Sequence, residues 1–143
     1  RSPTIGPAAA GAPGVDFMRH LVSAMLVIVA IIHLLPLSGA IGSERLASLY
    51  GIPFDEPNIA ILMRHRAVLF GLLGLFLLFA AFKPTFQVAA FVIGFVSVVS
   101  FLWLAASVGG YNAAIGRVFT ADIIALVCLV VGAAAYAYAQ QGI

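Results

Sequence analysis

The chain has 143 residues, 64% of them hydrophobic and only 8% charged, and its seven Lys or Arg nearly balance five Asp or Glu, for a net charge of +2. An average soluble domain carries about 25% charge, so the composition excludes an ordinary water-soluble domain and leaves no basic field for nucleic acid. The one cysteine, Cys128, sits in an apolar run, which excludes an intrachain disulfide and a thiolate metal cluster and leaves the redox compartment unread.

In chain order, residues 1–17 are rich in Ala, Gly and Pro and show no helical period. They are expected to be a linker or disordered tail ahead of a natural start at Met18, with residues 18–143 forming a single membrane domain. A bilayer core about 30 Å thick needs roughly 20 apolar residues at 1.5 Å each, and four stretches qualify. The first, residues 21–37, holds only Ser23 and His33 as polar breaks and has Pro36 near its end. It is longer than the roughly 7 to 15 apolar residues of a signal core, so it is read as a span and not as a cleaved leader.

Residues 38–58 then connect to the second span. Ser43 is expected to cap a short interfacial helix with Leu46, Leu49 and Tyr50 on its apolar side and Glu44, Arg45 and Ser48 on its polar side. Gly51-Ile52-Pro53 stops it, and Asp55-Glu56-Pro57-Asn58 has the acids and proline of a helix start. The second span covers residues 59–82 and the third residues 88–108, closed by Gly109-Gly110; the short link between them makes them antiparallel neighbours. The fourth span, residues 118–139, ends with Tyr136 and Tyr138 at a depth suited to an aromatic belt. Ala67 and Gly71, Ala90 and Gly94, and Ala121 and Ala125 are each four apart, a spacing that favours close helix packing in lipid. The expected fold is therefore an all-α integral membrane protein, an antiparallel four-helix transmembrane bundle with a short interfacial helix between spans one and two.

Four alternating spans bring the end of span one, the start of span two, the end of span three and the start of span four to one membrane face. His33, His65, Trp103 and Asp122 each lie about five residues inside that face, roughly 7 Å deep. The triplet Arg64-His65-Arg66 falls at the same level, where a charge is tolerated if it snorkels, meets a counter-charge or lines a wet cavity. Arg64 and Arg66 are about 200° apart around a helix, so one is expected inward and one toward headgroups. Asp122 is the inward partner, because its own helix offers no base three or four places away and Arg117 is about 140° around. Tyr111, Asn112 and Thr120 stand near enough to join the network. Each residue also has a plain structural reading: His33 bonded to the Ile32 carbonyl that Pro36 frees, the arginines on lipid phosphates, Trp103 as an interface anchor, and an Arg–Asp pair that only holds helices together.

The segments IIHLLPLSG, SERLASLYGI, RHRAVLFGLLGLFLL and IGRVFTADIIAL resemble, in layout and in these few motifs, small bacterial four-helix inner-membrane proteins of the broad DoxX-like type. The resemblance spans residues 18–139 and implies a single four-helix domain in the bacterial cytoplasmic membrane. Similar sequences carry the label phosphopantetheine adenylyltransferase, but that chemistry uses an α/β nucleotide fold and an H-x-G-H type motif, and this chain has neither. Discounting embedded or paired basic residues, Arg19 and Lys83 favour both termini on the cytoplasmic side.

Two functions follow as expectations. One is a membrane-embedded site that takes an amphiphile, a lipid headgroup or a quinone, with Arg64 or Arg66 on an oxygen, His33 and His65 moving protons and Asp122 orienting one of them. The other is a non-catalytic accessory subunit or scaffold, a homo-oligomer or part of a larger membrane complex. No cofactor or metal is expected; bis-imidazole haem on His33 and His65 is the remaining alternative. A channel fits poorly, because the polar groups occupy one end of an otherwise apolar bundle.

Overall fold

The computed structural model describes residues 13–40, 43–53 and 56–141. Five α-helices follow one another: α1 (Pro13–Leu34), α2 (Ser43–Tyr50), α3 (Pro57–Ala81), α4 (Gln87–Val108) and α5 (Ala113–Gln141), with 3₁₀ turns over Leu35–Ala40 and Pro84–Phe86. All four long helices have the length and hydropathy to cross a membrane. Along them Leu62, Leu69, Leu72, Val92, Val96, Leu104 and Val127 are exposed, a continuous apolar surface that water would not tolerate and lipid requires.

The helix ends follow from local chemistry. Pro13 opens α1 and Asp16 lies in its first turn, so the helix begins eight residues ahead of Leu21, where the first apolar run was expected to start. Val15 is buried, which gives that turn a packing reason to form. The helix stops at Leu34 because Pro36 disfavours α geometry at the residue before it. Glu56 caps α3, its carboxylate accepting from the Asn58 and Ile59 amides at 3.1 and 2.9 Å, with Pro57 at the first helical position. Asn112 caps α5 through Oδ1, which accepts from the Ile115 amide at 2.9 Å, so this helix begins five residues ahead of the expected start. The side chains of Ser43, Glu44, Arg45 and Leu46, and Asp55 as a whole, lie outside the described residues.

The spans pack in a ring: α1 lies against α3 and α5, and α4 lies against α5 and more lightly against α3. Small residues permit the approach. A Cβ on Gly74 would come within 2.7 Å of Leu34 Cγ and 3.1 Å of the Ala30 carbonyl, and one on Gly132 would meet Phe91 at 3.0 Å. The core fills the half of the bundle nearest the termini, where Val22, Leu26, Val29, Leu77, Val98 and Leu129 have almost no exposed surface. Where α3 ends in this half, the Ala81 carbonyl accepts from Ser23 Oγ at 2.6 Å and from Gln87 Nε2 at 3.4 Å. Both interactions occupy a carbonyl that the helix itself leaves open.

Candidate functional site

At the opposite end the helices and α2 enclose a cavity of about 210 Å³. Its apolar wall is formed by Ile32, Leu35, Leu49, Phe70, Phe101 and Val118, and its polar groups are His33, Tyr50, Arg66, Arg117 and Asp122. Helical spacing explains most of this arrangement. Ala114, Val118, Ala121 and Asp122 make one stripe of α5, and Arg66 and Phe70, four residues apart, make one stripe of α3.

Arg66 is the most heavily engaged of the polar groups. Its Nη1 donates to the Tyr50 hydroxyl at 2.6 Å, and its guanidinium lies 5.4 Å from the centre of the Tyr50 ring and 4.6 Å from that of Phe70. Cation–π contacts of this kind contribute about 0.5–1 kcal/mol when exposed and about 2 kcal/mol when desolvated. Phe70 stacks in turn on His33, with ring centres 5.6 Å apart. A line of contacts thus runs from α2 through α3 into α1.

His33, 2% exposed, ends that line. Its Nδ1–H donates to the Val29 carbonyl at 2.9 Å, and its Nε2 accepts from the Ser97 hydroxyl of α4 at 3.0 Å. A carbonyl can only accept, so this partner fixes which nitrogen carries the proton. The carbonyl is that of Val29, one turn back, and not that of Ile32. Both ring nitrogens are taken, so His33 serves as a brace between α1 and α4 and has no nitrogen left to move protons or to ligate haem.

Asp122 is half-buried and sits within the electrostatic reach of Arg66. Among the described residues no hydrogen bond reaches its carboxylate, and no ion pair shorter than 4 Å joins it to Arg66. Two opposite charges therefore share a mostly apolar cavity without neutralising each other by contact. Arg117, one helical turn before Ala121, is exposed and marks the mouth.

Several expected site residues lie elsewhere. Arg64 and His65 are exposed and outside the cavity wall, because the helix turns 100° per residue and only Arg66 shares the face of Phe70. His65 is therefore not placed beside His33, and the bis-imidazole arrangement has no geometry. Trp103 is 68% exposed; it stands five residues, about 140°, from the buried Val98 and faces away from the bundle. Tyr111 stacks on Phe119 at 5.8 Å and lines a separate apolar groove with Phe101, Leu104 and Val108. Thr120 bonds the Gly116 carbonyl of its own helix at 3.1 Å.

Asn112 is structural in another way. Besides capping α5, its Nδ2 donates to the Tyr50 carbonyl at 2.9 Å and lies 3.4 Å from the Gly51 carbonyl, which clips the end of α2 over the cavity. Gly51 sits there with φ +67°, bonded back to the Ala47 carbonyl at 2.8 Å, and a Cβ would come within 3.1 Å of Asn112 and 3.2 Å of Ala114. Only glycine adopts this turn easily in so little space.

Tyr50, Phe70, Ser97 and Phe101 are site-forming residues that the polar-layer reading passes over. Ser97, which with Ser100 interrupts the apolar FVSVVSF stretch of α4, is the one with a sequence signal, since a hydroxyl at membrane depth needs a partner. Among the described residues no group of three or more His, Cys, Asp or Glu converges as a metal site. No family model, curated protein or solved structure matches the chain.

Proposed function

We propose that this protein binds the head of an amphiphile, a lipid headgroup or a quinone, in the cavity between α1, α2, α3 and α5. One observation carries the reading: an apolar cavity at a single membrane level holds Arg66, aimed by Tyr50 and Phe70, together with Asp122, to which no hydrogen bond is made among the described residues. Binding sites in general combine an apolar wall with a few fixed polar groups, and ionisable groups at membrane depth mark function by default. Arg66 would offer its remaining N–H groups to a ligand oxygen, and Asp122 would supply the second polar contact. Phe101 lines both the cavity and the groove on the outer surface of α4 and α5, which supports entry from the side, past this ring.

We further propose a bacterial cytoplasmic membrane as the site of the protein, on its resemblance to DoxX-like proteins. Arg19 and Lys83 support both termini in the cytoplasm, with the cavity under the opposite leaflet. Labelling of single cysteines added at either end of the bundle in sealed vesicles decides that orientation.

The test of binding is native mass spectrometry of protein taken from its membrane in mild detergent, beside an Ala121→Leu variant whose larger side chain fills the cavity. A retained hydrophobic adduct in the wild type that is lost in the variant is the expected result. An unliganded wild type, or an adduct indifferent to Ala121, rejects the site and leaves the accessory or scaffold role as the better account.

A further inference from the structure

The inference concerns the chemical class of the head, and it rests on the amphiphile-binding reading of the same cavity. We infer that the head is uncharged and carries a carbonyl or hydroxyl oxygen, as in a quinone, a quinol or a monoacylglycerol, and is not the anionic phosphate of a phospholipid.

Charges of both signs line the cavity. Arg66 and Asp122 are its two inner charges, of opposite sign and not in contact. Arg117 also borders it but is exposed at the mouth, where water screens its charge. His33 adds none to the balance, since a neutral ring already satisfies the Val29 carbonyl and the Ser97 hydroxyl. An anion brought to Arg66 would be drawn by the guanidinium and repelled by the Asp122 carboxylate that lines the same cavity. It would gain little to offset the loss of its own hydration. A neutral oxygen pays no such penalty, and it can accept from Arg66 while a hydroxyl on the same head, or a bound water, donates to Asp122.

Size points the same way. The cavity holds about 210 Å³, below the roughly 300–1,000 Å³ of sites that enclose whole small molecules. It takes a head alone, and the body of the ligand must lie outside, past Phe101, along the apolar surface of Leu104 and Val108. A ring or a glycerol ester fits that division. Binding of this kind requires no electron transfer and no covalent step.

The experiment uses the full chain in nanodiscs of phosphatidylcholine, titrated separately with decylubiquinone, monooleoylglycerol and short-chain phosphatidylglycerol, with bound adducts read by native mass spectrometry. The expected result is saturable binding of one or both neutral probes, weaker binding of the anion, and about tenfold loss of the neutral probe in Asp122→Asn. The two neutral arms tell a ring from a glycerol ester. Preference for phosphatidylglycerol, with tighter binding in Asp122→Asn because the repulsion is gone, overturns the inference and leaves the cavity reading standing. Failure of every probe, or binding that Ala121→Leu does not reduce, overturns both. The comparison among wild-type titrations needs no variant, so it holds even if Asp122→Asn fails to fold.

Discussion

The Tyr50 hydroxyl accepts a 2.6 Å hydrogen bond from Nη1 of Arg66, and the Tyr50 carbonyl accepts another, at 2.9 Å, from Asn112. A single residue at the end of α2 is thus held by α3 on one side and by the cap of α5 on the other. Tyr50→Phe removes only the first contact. Hydrogen bonds to charged groups contribute about 1.5–3 kcal/mol, and the variant should melt lower by that order in mild detergent. Protease should also cut faster within residues 43–53. An unchanged cleavage rate would mean that the bond to Arg66 does not hold the segment.

The brace between His33 and Ser97 predicts coupling. Ser97→Ala should cost about 0.5–1.5 kcal/mol, the contribution of a single internal hydrogen bond. His33→Leu should cost more, because the ring also stacks on Phe70. In the double variant the two losses should fall short of their sum by about 1 kcal/mol. Reversible unfolding in mixed detergent micelles measures all three, and strict additivity would remove the bond from the account.

Two glycines should respond in opposite ways to alanine. At Gly74 the new methyl meets Leu34 at 2.7 and 2.9 Å and the Ala30 carbonyl at 3.1 Å; overpacking of this sort costs about 1–3 kcal/mol. At Gly116 the nearest atom is Tyr111 Cε2 at 3.8 Å, an ordinary contact. Gly116→Ala should be neutral or gain up to about 1 kcal/mol from helix propensity. Melting temperatures of the two proteins, compared in one detergent, check the contrast.

Glu56 caps α3 from outside the membrane span, and the Asn58 amide, followed by that of Ile59, holds its carboxyl below the ordinary glutamate value. A lowered folded pKa means that the cap contributes fully above the ordinary value and loses its contribution as pH falls through the folded one. Wild-type melting should therefore fall over the acid range below that value, and Glu56→Gln should show a smaller fall there. Parallel curves for the two proteins would show that another carboxylate carries the acid sensitivity.

Much of the fold was legible because a lipid solvent demands long apolar runs, and residues 59–82 and 88–108 mark α3 and α4 to within two residues. The helix starts at Pro13 and Ala113 were harder to read. In each case a capping or first-turn residue lies in a stretch whose composition reads as linker, and the local signal was outweighed. The depth of the polar layer was readable by counting, whereas the rotation of each helix was not. A soluble helix shows its inner face by contrast with a polar outer one; here lipid and core take the same residues. Nothing in the letters alone decides between Arg64, His65 and Arg66, or turns Trp103 outward. Tyr50 reads as part of an apolar side for the same reason, although its hydroxyl holds Arg66.

The tightly filled half of the bundle, with Leu26, Leu77 and Leu129 at its centre, lies directly beyond the His33 brace. These fully buried side chains separate the cavity from the pocket that Arg19, Ser23 and Gln87 line at the other end, so the molecule has two mouths with a packed core between them. On the binding role proposed above, a ligand would enter and leave at the Arg66 end, on the side of the core away from both termini.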